Sequence, residues 1–230
     1  MHKLRSIGVF AVLALAVPGG ATEMISNGGF ESGDTTGWFL ADSIDSPWSF
    51  SVTDGSASPL TGNPTAGPAS GAFYAVSDQY GPGEHALYQF FTVPLQFTQI
   101  TLSFDMFVND WSTPPTPQIG GSADLLLSTA NPFTGVILDT FYSSDASAVD
   151  GVPNPWVPTT VDLTSLLTPG QSYMLRFFES DSVGPLNVGV DNVSLDASGT
   201  VPEPGTLALL VGPMIGLMVF LRRRNNGRNQ

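Results

Sequence analysis

The groups able to do chemistry in this chain are few in kind and lopsided in charge. It has 230 residues, no cysteine and two histidines, His2 and His85. Thiolate nucleophiles, disulfides and thiolate metal sites are therefore excluded, and a single histidine beyond the first residues cannot build a zinc set. Serine–histidine chemistry would have to use His85. That residue follows Gly81-Pro82-Gly83-Glu84, which predicts an exposed turn, and no Gly-x-Ser-x-Gly elbow accompanies it. Carboxylates are plentiful, with 20 Asp and Glu against 7 Lys and Arg. A glycosidase would need two of them, but the separation that defines such a pair is spatial, so no spacing in the sequence selects one. Aromatic rings are the other inventory, because rings stack on the C–H faces of sugars. Trp111 leads it, lying in the run 110–121 that holds Pro114, Pro115 and Pro117 and is expected to be an exposed loop. Trp48, Trp156 and Tyr80 follow, although Trp48, like Trp38, is expected chiefly in the core.

The elements that must position these groups lie between two terminal signals. Met1-His2-Lys3-Leu4-Arg5, an apolar run from Ile7 to Val17 and then Pro18-Gly19-Gly20-Ala21 predict a signal peptide over 1–21, cleaved after Ala21. At the other end, Val201-Pro202-Glu203-Pro204-Gly205 precedes an apolar stretch over 206–221 and then Arg222-Arg223-Arg224. Sixteen helical residues span about 24 Å, near enough to a hydrocarbon core of about 30 Å once the arginines snorkel. A transmembrane helix is therefore expected at 206–221, kinked at Pro213, with the arginines cytoplasmic.

The order Pro202-Glu203-Pro204, short apolar segment, arginine run resembles the PEP-CTERM sorting tail of exported proteins from exopolysaccharide-making Gram-negative bacteria. The resemblance implies an exosortase as partner, transient residence in the inner membrane, and a cell-surface or extracellular destination. An ordinary C-terminal membrane anchor is the other reading of the same residues.

The intervening body, 22–200, holds 19 of the acids and a single basic residue, Arg176, for about −18 of formal charge. Nucleic acid is excluded as a partner, and anionic membranes and polymers would be repelled. Gly and Pro together make 44 of the 230 residues, which favours short strands and turns over helices. Ile100, Leu102, Phe104, Met106 and Val108 alternate with Thr101, Ser103, Asp105, Phe107 and Asn109, the period of a strand with one dry face. Further strands are predicted over 48–53, 72–77, 87–93, 123–128, 136–142, 156–162, 172–178 and 188–195, with one helical turn at 163–167. Val188 and Val190 share a parity that Val193 and Leu195 break, which predicts a β-bulge near Asp191-Asn192. The fold class that follows is all-β, an antiparallel sandwich of the jelly-roll kind.

Asn27-Gly28-Gly29-Phe30-Glu31 at the start of the body and Val190-Asp191-Asn192-Val193 at its close resemble the ends of jelly-roll carbohydrate-binding modules, with Ser70–Ala75 and Leu87–Val93 at matching places. In that group the first and last strands are neighbours and a structural calcium often lies between them. The resemblance thus implies Glu31 and Asp191 as carboxylate ligands, an arrangement of oxygens that calcium accepts. The alternative is that Glu31 caps a turn and Asp191 binds backbone amides. Three functions fit this reading. They are a non-catalytic glycan-binding module using Trp111 and Tyr80, a structural exopolysaccharide-matrix protein, and a glycosidase as the least favoured.

Overall fold

The computed structural model describes residues 19–43, 48–112, 120–144, 152–182 and 184–199. The first 18 residues and those from 200 onward, with the apolar run of the signal peptide, Pro202-Glu203-Pro204 and the apolar segment 206–221, lie outside the described residues. Among the described residues no helix is long and apolar enough to cross a membrane.

Twelve strands form, in order β1 (Gly19–Glu23), β2 (Phe39–Asp42), β3 (Phe50–Thr53), β4 (Tyr74–Ser77), β5 (Gln79–Tyr80), β6 (Gly83–Thr92), β7 (Gln99–Asp110), β8 (Gly120–Leu127), β9 (Ile137–Ser144), β10 (Val157–Asp162), β11 (Ser172–Asp181) and β12 (Pro185–Gly199). They make two sheets. Seven strands run β10-β7-β12-β4-β3, with β1 and β5 also paired to β12; five run β2-β6-β11-β8-β9. The long ladders β7–β12, β6–β11 and β8–β11 are antiparallel, and the expected β-sandwich is what the described residues form. The predicted helical turn is a single turn, closed by Leu167 N–H donating to Leu163 O at 3.1 Å.

Strand parity builds the interior. Leu102, Phe104 and Met106 of β7 and Val188 and Val190 of β12 join Leu87 and Phe91 of β6 and Leu175 and Phe177 of β11 in one buried cluster. Each such side chain, moved out of water, contributes about 2 kcal/mol. A smaller cluster of Tyr74, Val76 and Phe107, with Trp156 packed on it, covers the opposite face of the seven-stranded sheet. The Phe107 ring lies over Gly189, where a Cβ would come within 2.1 Å of it.

Near the starts of β6 and β12 and the ends of β7 and β11, the inward stripe changes chemistry. The parity that turns Leu87 and Phe177 inward also turns His85, Glu179 and Asp181 inward, and all three are buried. This corrects the expectation for His85. Strand β6 starts at Gly83, inside the Gly-Pro-Gly turn, so His85 is a strand residue, paired across the ladder with Glu179 of β11, fully buried, and bonded through Nδ1 to Asp42 at 2.6 Å. Burial lowers its pKa, partly opposed by Asp42. Trp48 departs from expectation the other way. It lies two residues before β3, outside the sandwich, and is 37% exposed.

Candidate ligand-binding face

The two ends of the body meet as expected. Strand β1 pairs with β12, Met24 N–H donates to Leu195 O at 2.9 Å, and Val193 N–H donates to Gly28 O at 2.9 Å. The β7–β12 register slips between Asp191 and Ser194, where the bulge was expected, and Asn192 takes a left-handed φ of 53°. Asn27 and Phe30 are left-handed as well, at 51° and 56°, so every non-glycine residue with positive φ among those described belongs to this seam.

Glu31 and Asp191 come to either side of Gly29, whose Cβ position lies 3.8 Å from Glu31 Cγ and 4.0 Å from Asp191 Oδ1. Both carboxylates grip one loop. Ala69 and Ser70 donate backbone N–H to Asp191 Oδ2 at 2.9 and 3.1 Å, and Asn192 N–H donates to Oδ1 at 2.7 Å. Ala72 and Phe73 donate theirs to Glu31 Oε1 at 2.9 and 3.1 Å. Burial pushes the Asp191 carboxyl up to about 6 despite these donors, with Asp105 across the ladder adding repulsion. Among the described residues no three acids or histidines converge as a metal centre.

Trp111 and Tyr80 are also brought together. Tyr80 pairs with Pro185 on one side of β12, and Trp111 donates its backbone N–H to Pro185 O at 2.8 Å on the other. Trp111 is not the freely exposed ring its proline-rich run suggested. It is half-buried, and its indole N–H is held by Asn187 Oδ1 at 3.0 Å. Residues 113–119 of that run are outside the described residues. Trp156 is structural, edge-on to Tyr74 at 5.6 Å and bonded through Nε1 to Gly67 O.

A different aromatic surface stands on the outer face of the five-stranded sheet, and the sequence reading missed it. Even-numbered residues of β6 from Tyr88 on point outward, which leaves Tyr88 half-buried and Phe90 exposed, and the β2–β6 register sets Phe39 opposite Tyr88 on the same face. The three rings touch. Phe39 stacks on Tyr88 at 5.5 Å and 21°, and lies 5.4 Å from Phe90, which meets Tyr88 edge-on at 5.5 Å. Phe39 is 51% and Phe90 40% exposed. Scattered apolar side chains are ordinary on a surface, but a contiguous ring cluster left in water marks a place of contact.

Beside this platform, Arg176 of β11 faces the same way and is closed off. Its Nε and Nη2 both donate to Asp124 Oδ2, at 3.2 and 2.5 Å, a further N–H goes to Pro132 O, and its guanidinium lies 4.4 Å over the Phe178 ring. Ser122 and Thr140 hydroxyls donate to the same Asp124 carboxylate. The connection 128–136 folds over this part of the sheet, with Phe133 edge-on to Phe178. The platform therefore offers flat apolar rings, a phenol and no free cation among the described residues.

No protein-family model and no curated protein matches this chain. Solved structures do. The K1 cleaved adhesin domain of Lys-gingipain from Porphyromonas gingivalis W83 is 17% identical, with 79% of this chain and 100% of that one covered and a TM-score of 0.51. The carbohydrate-binding module TmCBM61, solved with β-1,4-galactotriose, is 11% identical over 76% of this chain and 97% of its own, with a TM-score of 0.48. The enzymatically active domain of bacteriophage CBA120 tailspike protein 4 is 13% identical at a TM-score of 0.49, and this chain spans only 21% of its length. At such identities the likeness is one of fold alone: the chain shares its β-sandwich architecture with the K1 adhesin domain.

Proposed function

We propose that this chain is an exported, non-catalytic surface or matrix protein whose jelly-roll body binds neutral glycans on the Phe39–Tyr88–Phe90 platform. The observation that carries the reading is three rings in mutual contact on an open sheet face, with Phe39 and Phe90 exposed and Tyr88 half-buried between them. Rings of this kind bind the apolar face of a pyranose, while the Tyr88 phenol can meet a hydroxyl. Neutral sugars are favoured because Arg176, the single Lys or Arg among the described residues, is already paired with Asp124, and a body of about −18 repels acidic polymers.

The test is retention on a panel of insoluble neutral polysaccharides. The Phe39→Ala/Phe90→Ala double variant should lose about tenfold or more in affinity, since each ring contributes about 1 kcal/mol. Trp111→Ala should keep most of its binding. If Trp111→Ala alone abolishes retention, the ligand sits instead at Trp111 and Tyr80. If no glycan retains the protein, the purely structural matrix role takes precedence.

Export rests on the terminal signals in the sequence, with an exosortase removing the tail at Pro202-Glu203-Pro204 and the protein passing to the cell surface or beyond. Calcium at Glu31 and Asp191 belongs to the same proposal. The Glu31 and Asp191 side chains both approach Gly29, and Asp105 pairs with Asp191 across the ladder, a set of carboxylates that suits a hard cation. Five backbone N–H groups already supply these carboxylates with partial positive charge, so the domain has a way to close its seam without metal.

A further inference from the structure

We propose that the end of the sandwich from which the chain continues toward residues 206–221 is a lipid-docking surface that seats the body on the membrane. Three connections gather at this end: 93–98, 128–136 and 163–171. They are tied to one another and to the end of β12. Val93 and Gln171, and Gly170 and Val93, exchange backbone bonds at 2.9 Å, Ser128 N–H donates to Ser172 O at 3.4 Å, and Thr98 N–H donates to Ser198 O at 2.7 Å. None of the three connections holds a charged residue, in a body that carries 19 acids. Their tips carry apolar side chains in water instead, with Leu95 and Val136 each 80% exposed and Leu166 36%.

The charge lies elsewhere. Asp42, Glu84, Asp110 and Asp181 stand at the far ends of their strands, and Asp78 lies between β4 and β5. The acids nearest the uncharged end, Glu23, Asp139, Asp162 and Asp196, are on the strands beside it and outside the three connections.

Where the chain goes decides the occupant. Strand β12 ends at Gly199, and the apolar segment begins at 206, so the linker reaches at most about 25 Å at about 3.5 Å per residue. A body tethered so closely presents this end to the bilayer. An uncharged surface with leucine and valine tips can enter the interface, whereas the acidic far end would be repelled by anionic headgroups. The inference rests on the reading of 206–221 as a membrane span, and the experiment separates the two.

The absence of cysteine allows single labelling sites in the full chain. Leu95→Cys and Val136→Cys are compared with Val152→Cys, another exposed valine (62%) near the far end of β7. Each carries an environment-sensitive fluorophore and is reconstituted into vesicles of phosphatidylethanolamine and phosphatidylglycerol containing spin-labelled lipid. The expected result is co-flotation with the vesicles, with emission at 95 and 136 blue-shifted and quenched several-fold more than at 152. Equal quenching at all three positions overturns docking while leaving the membrane span intact. Shielding at 95 and 136 that grows with protein density and resists lipid quenching assigns the surface to a second copy and also overturns it. Failure to float removes the span and the proposal together.

Discussion

Glu179 stands where the parity of β11 puts an inward side chain, and the interior there gives its charge little support. It is fully buried and neither carboxyl oxygen meets the geometry of a hydrogen bond, although the nearby Ser77 hydroxyl favours the ionised form somewhat. Burial first, then the negative charges of Asp181, Asp78 and Asp42, raise its pKa well above the ordinary carboxylate range. His85 is its partner across the β6–β11 ladder and is itself held neutral by burial. The folded protein therefore keeps a proton on Glu179 that the unfolded chain releases near pH 4.3. Stability from this group is complete below that pH and is lost as pH rises toward the folded pKa. His85 acts oppositely, since its folded pKa is lowered, so its contribution is present above about pH 6.5 and lost on acidification. Glu179→Gln keeps the shape and removes the titration. Its melting temperature should match the wild type near pH 4.5 and exceed it by several degrees at pH 8. An unchanged difference between the two across that range would mean that Glu179 ionises in the folded protein as it does in the unfolded chain.

The seam between the start of the body and β12 depends on backbone contact, and two adjacent glycines separate its requirements. A Cβ on Gly28 would fall 1.7 Å from Val193 O, while one on Gly29 would meet nothing nearer than 3.8 Å. Neither has a positive φ, so conformational strain is not in play and only space differs. Gly28→Ala should cost about 2–3 kcal/mol, as overpacking a rigid contact does, and lower the melting temperature by about 5–10 °C. Gly29→Ala should lie within about 2 °C of wild type, which thermal melts of both variants would check. This seam was legible in the sequence because a bulge leaves a mark in parity: Val188 and Val190 face inward on one phase, Val193 and Leu195 on the other. The strand 99–110 was legible for the same reason, its apolar set falling on alternate residues. Strand β2 was not, because Phe39-Leu40-Ala41-Asp42 is a four-residue edge with nearly every side chain exposed, so no period marks it. The aromatic platform escaped for a related reason. In Leu87-Tyr88-Gln89-Phe90-Phe91 both parities are apolar, and which one meets water is decided by what covers each sheet. His85 was misread because a Gly-Pro-Gly turn signal does not show that the strand begins inside it and carries His85 inward by parity.

Charge is the property of the whole body that no single element accounts for. Its one basic residue is buried against Asp124, so about 18 uncompensated negative charges sit on one sandwich, and compaction brings them closer than unfolding does. Their mutual repulsion acts over a Debye length of about 30 Å at 0.01 M salt, but only about 10 Å at 0.1 M. Sodium chloride should therefore raise the melting temperature steadily across this interval and little beyond it. Calcium chloride at matched ionic strength divides general screening from a bound ion. If Glu31 and Asp191 hold calcium, micromolar calcium should add several degrees to the melting temperature at constant ionic strength, chelator should remove the gain, and Glu31→Gln with Asp191→Asn should not show it. If calcium and sodium coincide at equal ionic strength, the amides of the 69–73 loop and Asn192 alone balance these two carboxylates, and the seam is closed by hydrogen bonds without metal.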